Sequence, residues 1–246
     1  MYTILVALGV GVVAGAIWTL LGLWKTWAFG IVLGLVVFAA TFVLLSRRIA
    51  KRVEPVFEQV QRQIQGGNAR LALKTLEEML PLSRWQILLE GQLYAQMGSL
   101  SFTTGDEARA LEYLQKASPR LADGQLFLAS LYYRRGDVEK AKEVLDTAIR
   151  YNKKQVMLYN VYAWLLSKEG DREGAIAQLL RCLEIEKTNE TTRDNLDRVQ
   201  NGKKMNMKRF GMSWYGLQFE KLPAAMRQGG QAMMGRKGFR QKPRRR

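Results

Sequence analysis

The side chains with most to offer a ligand lie at the end of the chain. Residues 203–246 hold thirteen lysines and arginines against a single acid, Glu220, a local charge of +12. Lys208, Arg209, Arg236, Lys237, Arg240, Arg244, Arg245 and Arg246 supply cations there, and Phe210 and Trp214 supply rings. Three readings of this tail stay open. Near an anionic leaflet, each cation contributes about 1 kcal/mol of attraction, and Phe210, Trp214 and Phe219 insert beside the headgroups. Alternatively, arginines and rings in a flexible chain suit RNA phosphates and unstacked bases. The third reading is a solvated basic end that meets acidic surfaces without specificity. Gly211, Gly216, Gly229, Gly230, Gly235 and Gly238 break any long helix, so a flexible tail is expected. Phe210, Trp214 and Leu217 leave room for a short amphipathic piece, and Pro223 for the start of a second.

Catalytic chemistry is hard to assemble from the rest. Histidine is absent, which removes the commonest general base and metal ligand. Cys182 is the single cysteine, so no intrachain disulfide forms, and its setting reads as a packed thiol. No glycine-rich phosphate loop follows a strand, and no cluster has metal-ligand spacing. No enzyme activity, cofactor or metal is expected. The total charge of +16 leaves only +4 for the first 202 residues once the tail is set aside.

The elements that must position any binding residues are set by a repeat. Gly136-Asp137-Val138-Glu139-Lys140-Ala141 returns as Gly170-Asp171-Arg172-Glu173-Gly174-Ala175, an offset of 34 residues. A period of this size marks stacked helix–turn–helix units, each unable to bury its apolar stripe alone. The same register aligns Leu128 with Tyr162, Ala129 with Ala163 and Tyr132 with Leu166 in the first helices. It aligns Ala141 with Ala175, Leu145 with Leu179 and Ala148 with Cys182 in the second helices. Gly ends one helix and Asp caps the next.

This pattern resembles the tetratricopeptide repeat family at its small, large-apolar and Gly-Asp positions. It departs at the early Trp of helix A, replaced by Gln125 and Tyr159, and at the closing Pro, replaced by Lys153 and Lys187. An earlier copy runs through Gly91, Tyr94 and Gly98, then Gly105-Asp106-Glu107 to Ala110, Leu114 and Ala117. Seven extra residues, Ser99 to Gly105, leave a longer helix or a loop open. A weaker copy holds Gly67, Ala72, Leu76 and Met79. The expected fold is all-α, with a four-unit solenoid and a capping helix over 47–202.

The resemblance implies that helix A of each unit lines a concave, peptide-binding surface. Carried over by position, that surface holds Trp85, Leu88, Gln92, Leu126, Ser130, Tyr133, Arg134, Asn160, Trp164 and Lys168. Rings anchor and amides fix backbone in such grooves. The alternative is that Trp85 and Trp164 fill gaps between units. The Lys/Asn pattern by which some members clamp a C-terminal carboxylate is not reproduced.

Residues 1–46 read differently. Between Tyr2 and Ser46 the one charged side chain is Lys25, which separates apolar segments at about 3–23 and 28–46. Each approaches the roughly 20 residues that cross a bilayer. A signal peptide is disfavoured, because no cation precedes the first segment and a second follows at once. A transmembrane hairpin is expected. Trp24, Lys25 and Trp27 mark its tip, and Arg47, Arg48, Lys51 and Arg52 place the other end in the cytoplasm. Gly11 with Gly15, and Gly30 with Gly34, offer close approach of the two helices or of two copies.

Together these features predict a membrane-anchored adaptor, in a bacterial cytoplasmic membrane, with repeats and C-terminus cytoplasmic. Its partners would be proteins held in the repeat groove, with lipid or RNA at the tail. The runner-up is a tether for ribosomes or RNA, and a permanent subunit of a membrane machine differs from the adaptor only in lifetime.

Overall fold

A computed structural model describes residues 2–21, 27–86 and 88–220. Among them every regular element is helical. The order is α1 (Tyr2–Leu20), α2 (Trp27–Gln65), α3 (Ala69–Glu78), α4 (Leu80–Ser83), α5 (Leu89–Thr103), α6 (Glu107–Lys116), α7 (Ala122–Arg134), α8 (Val138–Tyr151), α9 (Val156–Glu169), α10 (Arg172–Ile185) and α11 (Glu190–Gln200). A 3₁₀ turn (Met207–Phe210) and a one-turn helix α12 (Met212–Tyr215) follow. The expected tip residues Trp24 and Lys25 lie outside the described residues, as do Pro223, Arg236, Lys237, Arg240, Arg244, Arg245 and Arg246.

Two compact units emerge: Met1–Leu131 with Thr147–Asn152, and Tyr132–Asp146 with Lys153–Arg246. In the first, α1 and α2 are long and apolar enough to cross a membrane. Their glycines pack against each other within one chain. A Cβ at Gly11 would sit 2.7 Å from the Gly34 carbonyl oxygen, and one at Gly15 would sit 2.8 Å from that of Gly30. Of the two uses open for these glycines, contact between the hairpin's own helices is the one the fold makes.

The expected boundary between residues 46 and 47 falls inside a single helix. α2 runs for 39 residues, about 58 Å at 1.5 Å per residue. Its last turns pack with α3 and α5, where Val53 and Val60 join Ala72, Leu76, Leu89, Leu93 and Met97 in one core. No linker separates membrane-type helix from repeat. The seven extra residues of the second repeat are absorbed by length, since α5 extends to Thr103.

The turn chemistry repeats as the sequence predicts. Gly136 and Gly170 adopt left-handed φ values of 81° and 88°, where a side chain would be strained. The following Asp N–H then reaches back to close the helix: Asp137 to the Tyr132 carbonyl at 2.9 Å, and Asp171 to that of Leu166 at 3.0 Å. The Asp171 carboxylate caps α10 by accepting from the Gly174 N–H at 2.8 Å. Ala129, Ala163, Ala141, Ala175, Leu145, Leu179 and Ala148 are fully buried, as their recurrence requires. Leucine at Ala141 should overpack this site and lower stability by about 1–2 kcal/mol, read by urea unfolding of the full chain in detergent. No loss of stability would mean that the small residue is incidental.

In the second unit α11 is more than a polar cap. Its Asn195 amide donates to Asn160 Oδ1 at 3.0 Å and its carbonyl oxygen accepts from the Asn206 N–H at 2.7 Å. Asn160 donates to Thr192 Oγ1 at 2.9 Å. The network is buried and its members are paired, which fixes α9, α11 and the chain after α11 in one register. This corrects the expected boundary at residue 203. Met207, Trp214, Tyr215, Leu217 and Phe219 are buried, so residues 203–220 belong to the folded unit. Apolar side chains spaced through a glycine-rich, basic stretch gave it a place to pack.

Candidate functional site

In the second unit, the end of α7, α9 and the segment after α11 meet in a cluster of rings. Tyr133 and Trp164 lie 5.4 Å apart, edge to face. Trp214 and Phe219 stack nearly parallel at 5.3 Å. The two pairs interlock, with Trp164 5.0 Å from Trp214 and 5.5 Å from Phe219, and Tyr133 5.5 Å from Phe219. Offset and edge contacts of this kind add to the burial of each ring. Trp164 retains 3% exposure, and Trp214 none.

Polar contacts frame the rings. Arg134 donates to Gln218 Oε1 at 2.8 Å. Trp214 Nε1 donates to Glu220 Oε2 at 3.1 Å. Lys168 stands over the Trp164 ring, its nitrogen 5.2 Å from the centroid. Beside the cluster is a cavity of about 660 Å³. Lys168, Arg198, Lys204 and Lys208 line it together with Trp164, and Glu220 is the acid among them.

Of the residues expected on the concave surface, the structure brings Tyr133, Arg134, Trp164 and Lys168 to this one site. Asn160 lies deeper, its amide committed to Thr192, Asn195 and the Val156 carbonyl. Leu126 and Ser130 are buried in the first unit. Gln92 is exposed on α5. Asn160, Leu126 and Ser130 therefore serve the interior, a correction to their expected exposure. Helix A positions that face a neighbouring helix are inaccessible even when the family register puts them on the inner side.

Trp85 and Leu88 have another setting. They sit on the turn between α4 and α5, 39% and 52% exposed. The Tyr2 N–H donates to the Arg84 carbonyl at 3.0 Å, and Thr3 Oγ1 to that of Trp85. The Tyr2 and Trp85 rings meet at 5.5 Å, edge to face. Trp85 thus stands at the beginning of α1.

Of the described tail residues, Lys208 and Arg209 are exposed, and Arg209 faces Asp194 at 3.9 Å. Phe210 is half-buried, and Trp214 is enclosed, so its ring is not available to lipid or RNA in this conformation. Gln218 and Asn195 join the site without a signal in the sequence, and Phe219, expected beside lipid headgroups, packs on Trp164 and Trp214 instead. Phe219 was legible as an aromatic in a polar stretch, but nothing in its spacing named Trp164 as its partner.

Cys182 is buried 3.8 Å from Thr192 Oγ1, and burial pushes its thiol above the ordinary range. Maleimide should label it far more slowly in the native protein than in denaturant, checked by mass spectrometry. Equal rates would show that the core around Thr192 opens readily. Among the described residues, no three His, Cys, Asp or Glu side chains gather in a way that could hold a metal ion.

Comparison with known proteins gives the repeats their family. Residues 102–165 and 158–189 match tetratricopeptide repeat models. No curated protein is significantly similar to the chain. Solved structures that the chain matches include a MamA protein, with 19% identity, 74% of this chain and 92% of that one covered, and a TM-score of 0.45. A tetratricopeptide repeat protein from Parabacteroides merdae has 20% identity, coverage of 74% and 76%, and a TM-score of 0.48. A thermophilic one from Thermus thermophilus has 20% identity, coverage of 74% and 97%, and a TM-score of 0.44. The stretch from residue 102 to residue 189 is built of tetratricopeptide repeats.

Proposed function

We propose that the chain is a membrane-anchored scaffold that gathers partner proteins on its tetratricopeptide repeats at the cytoplasmic face of a membrane. The observation that carries this reading is the continuity of α2, which begins as an apolar helix and ends inside the core of the first repeat. An array joined this way moves with its anchor. The outward side chains of the hairpin support insertion, since Leu5, Val12, Leu20, Leu35 and Leu44 are all well exposed. A continuous apolar surface of this extent calls for lipid or protein to cover it. Arg47, Arg48, Lys51 and Arg52 on α2 favour the cytoplasmic side for the repeats. With α1 inserted, Trp85 lies at headgroup level and extends the anchor, a position that suits an amphipathic ring.

A reporter fused after Arg246 should behave as cytoplasmic, and one inserted at Lys25 as external. A cleaved N-terminus or an externally labelled tail sinks the anchor. Purification in mild detergent should then recover a defined set of proteins. Recovery of ribosomal components, lost as salt rises, would replace the scaffold with an RNA tether.

A further inference from the structure

We infer that residues 211–220 are a resident stand-in for a partner peptide, and that the repeat surface of the second unit recognises an acidic segment bearing two aromatic side chains. This rests on the scaffold reading and names its ligand class. The seat is built from helix positions on α7 and α9, and the segment brings the complementary groups: Trp214 and Phe219 onto Trp164 and Tyr133, and Glu220 into the cavity of cations.

Three observations mark the segment as a tenant rather than as part of the array. It begins at Gly211, whose φ of 56° and ψ of −135° form a conformation open to glycine alone, and so provide a pivot. Gln218 is held at a φ of 58°, the one described non-glycine residue with positive φ. The Tyr215 hydroxyl is buried without a hydrogen-bond partner. The seat thus holds a strained guest mainly through its rings. Before the pivot, the chain is tied down differently, by the Asn206 N–H on Asn195 and by Arg209 facing Asp194.

Charge selects the replacement. Lys168, Arg198, Lys204 and Lys208 line the cavity, and the resident offers them one carboxylate. A partner with the same two rings and several acids meets more of that positive field, while a basic or neutral segment does not.

The test uses the full-length protein in nanodiscs and a fluorescein-labelled peptide that copies residues 211–220. Because the resident competes, the wild type should bind this probe weakly. The double variant Trp214→Ala/Phe219→Ala empties the seat and should bind it at least tenfold more tightly. Glu220→Lys takes the carboxylate away from the cations and from Trp214 Nε1, keeps both rings in the sequence, and should also bind more tightly than wild type. A probe with glutamine at the position of Glu220 should bind the emptied seat at least threefold more weakly. The inference is overturned if the double variant keeps its helical melting transition yet ignores the probe, or if Glu220→Lys binds no better than wild type. It is equally overturned if the double variant loses its melting transition, because the segment is then structural, or if the emptied seat draws the segment of a second copy and the protein dimerises. These measurements read the seat in purified protein. A failure of the scaffold reading would appear separately, as absence from the membrane or absence of bound proteins.

Discussion

Trp164→Ala should lower the stability of the second unit by about 3–5 kcal/mol, the range for truncating a buried aromatic. The ring is central to the cluster, with Tyr133, Trp214 and Phe219 each within 5.5 Å of it. Two losses combine. The cavity left in the floor of the seat is not refilled by Tyr133, and residues 211–220 lose their main point of attachment. Fluorescence of Trp214 should shift towards that of an exposed indole before the repeats melt. Trp164→Phe, which keeps a ring against Phe219, should cost less than half as much. Chemical unfolding followed by circular dichroism measures the first effect, and emission the second. A variant within 1 kcal/mol of wild type, with Trp214 still shielded, would show that the segment is held by contacts other than the ring cluster.

The repeat was legible because its determinants are local and periodic. Gly136 and Gly170 need left-handed backbone, Asp137 and Asp171 need an N-terminal turn to cap, and both demands recur at 34 residues. The buried alanines follow from the same register. Two features were not legible, for different reasons. The passage of α2 from membrane-type helix to repeat hides a boundary, because the composition changes at Arg47 while the backbone does not. The packing of residues 203–220 hides behind composition. Lysines, glycines and methionines there read as solvated chain, and the few side chains that matter, Met207, Trp214, Leu217 and Phe219, are scattered among them. Trp214 and Phe219 find partners tens of residues earlier, Trp164 and Tyr133, and no period connects them. Expected groove residues divided on the same principle. Tyr133, Arg134, Trp164 and Lys168 border the seat, whereas Asn160 was drawn into a network with Asn195, a residue of the cap whose role depends on the chain that follows it.

Gly11→Leu should break the helical hairpin apart, at a cost of about 3 kcal/mol or more, the upper end for overpacking a site that cannot relax. A Cβ there would approach the Gly34 carbonyl oxygen to 2.7 Å and Phe38 Cβ to 2.9 Å. One obstacle is backbone and the other is the root of a side chain, so neither can swing away. α1 and α2 must separate, and in lipid nothing equivalent to water pressure pushes them together again, because close packing is itself the source of their attraction. Gly9 supplies the control. A Cβ at Gly9 meets nothing within 4 Å, so Gly9→Leu adds the same bulk to the same helix without touching α2. Spin labels on cysteines replacing the exposed Leu8 and Leu35, in a Cys182→Ser background, would report the separation in nanodiscs. Wild type and Gly9→Leu should give the same narrow distance distribution, and Gly11→Leu a longer, broader one. The consequence reaches the repeats, because the first residues of α1 hold the turn at Arg84 and Trp85. Once α1 tilts away, that turn keeps its connection to the anchor only through α2, and amides near Trp85 should exchange faster. An unchanged distance distribution in Gly11→Leu would mean that the two helices do not cross at their glycines, and the hairpin would need another geometry.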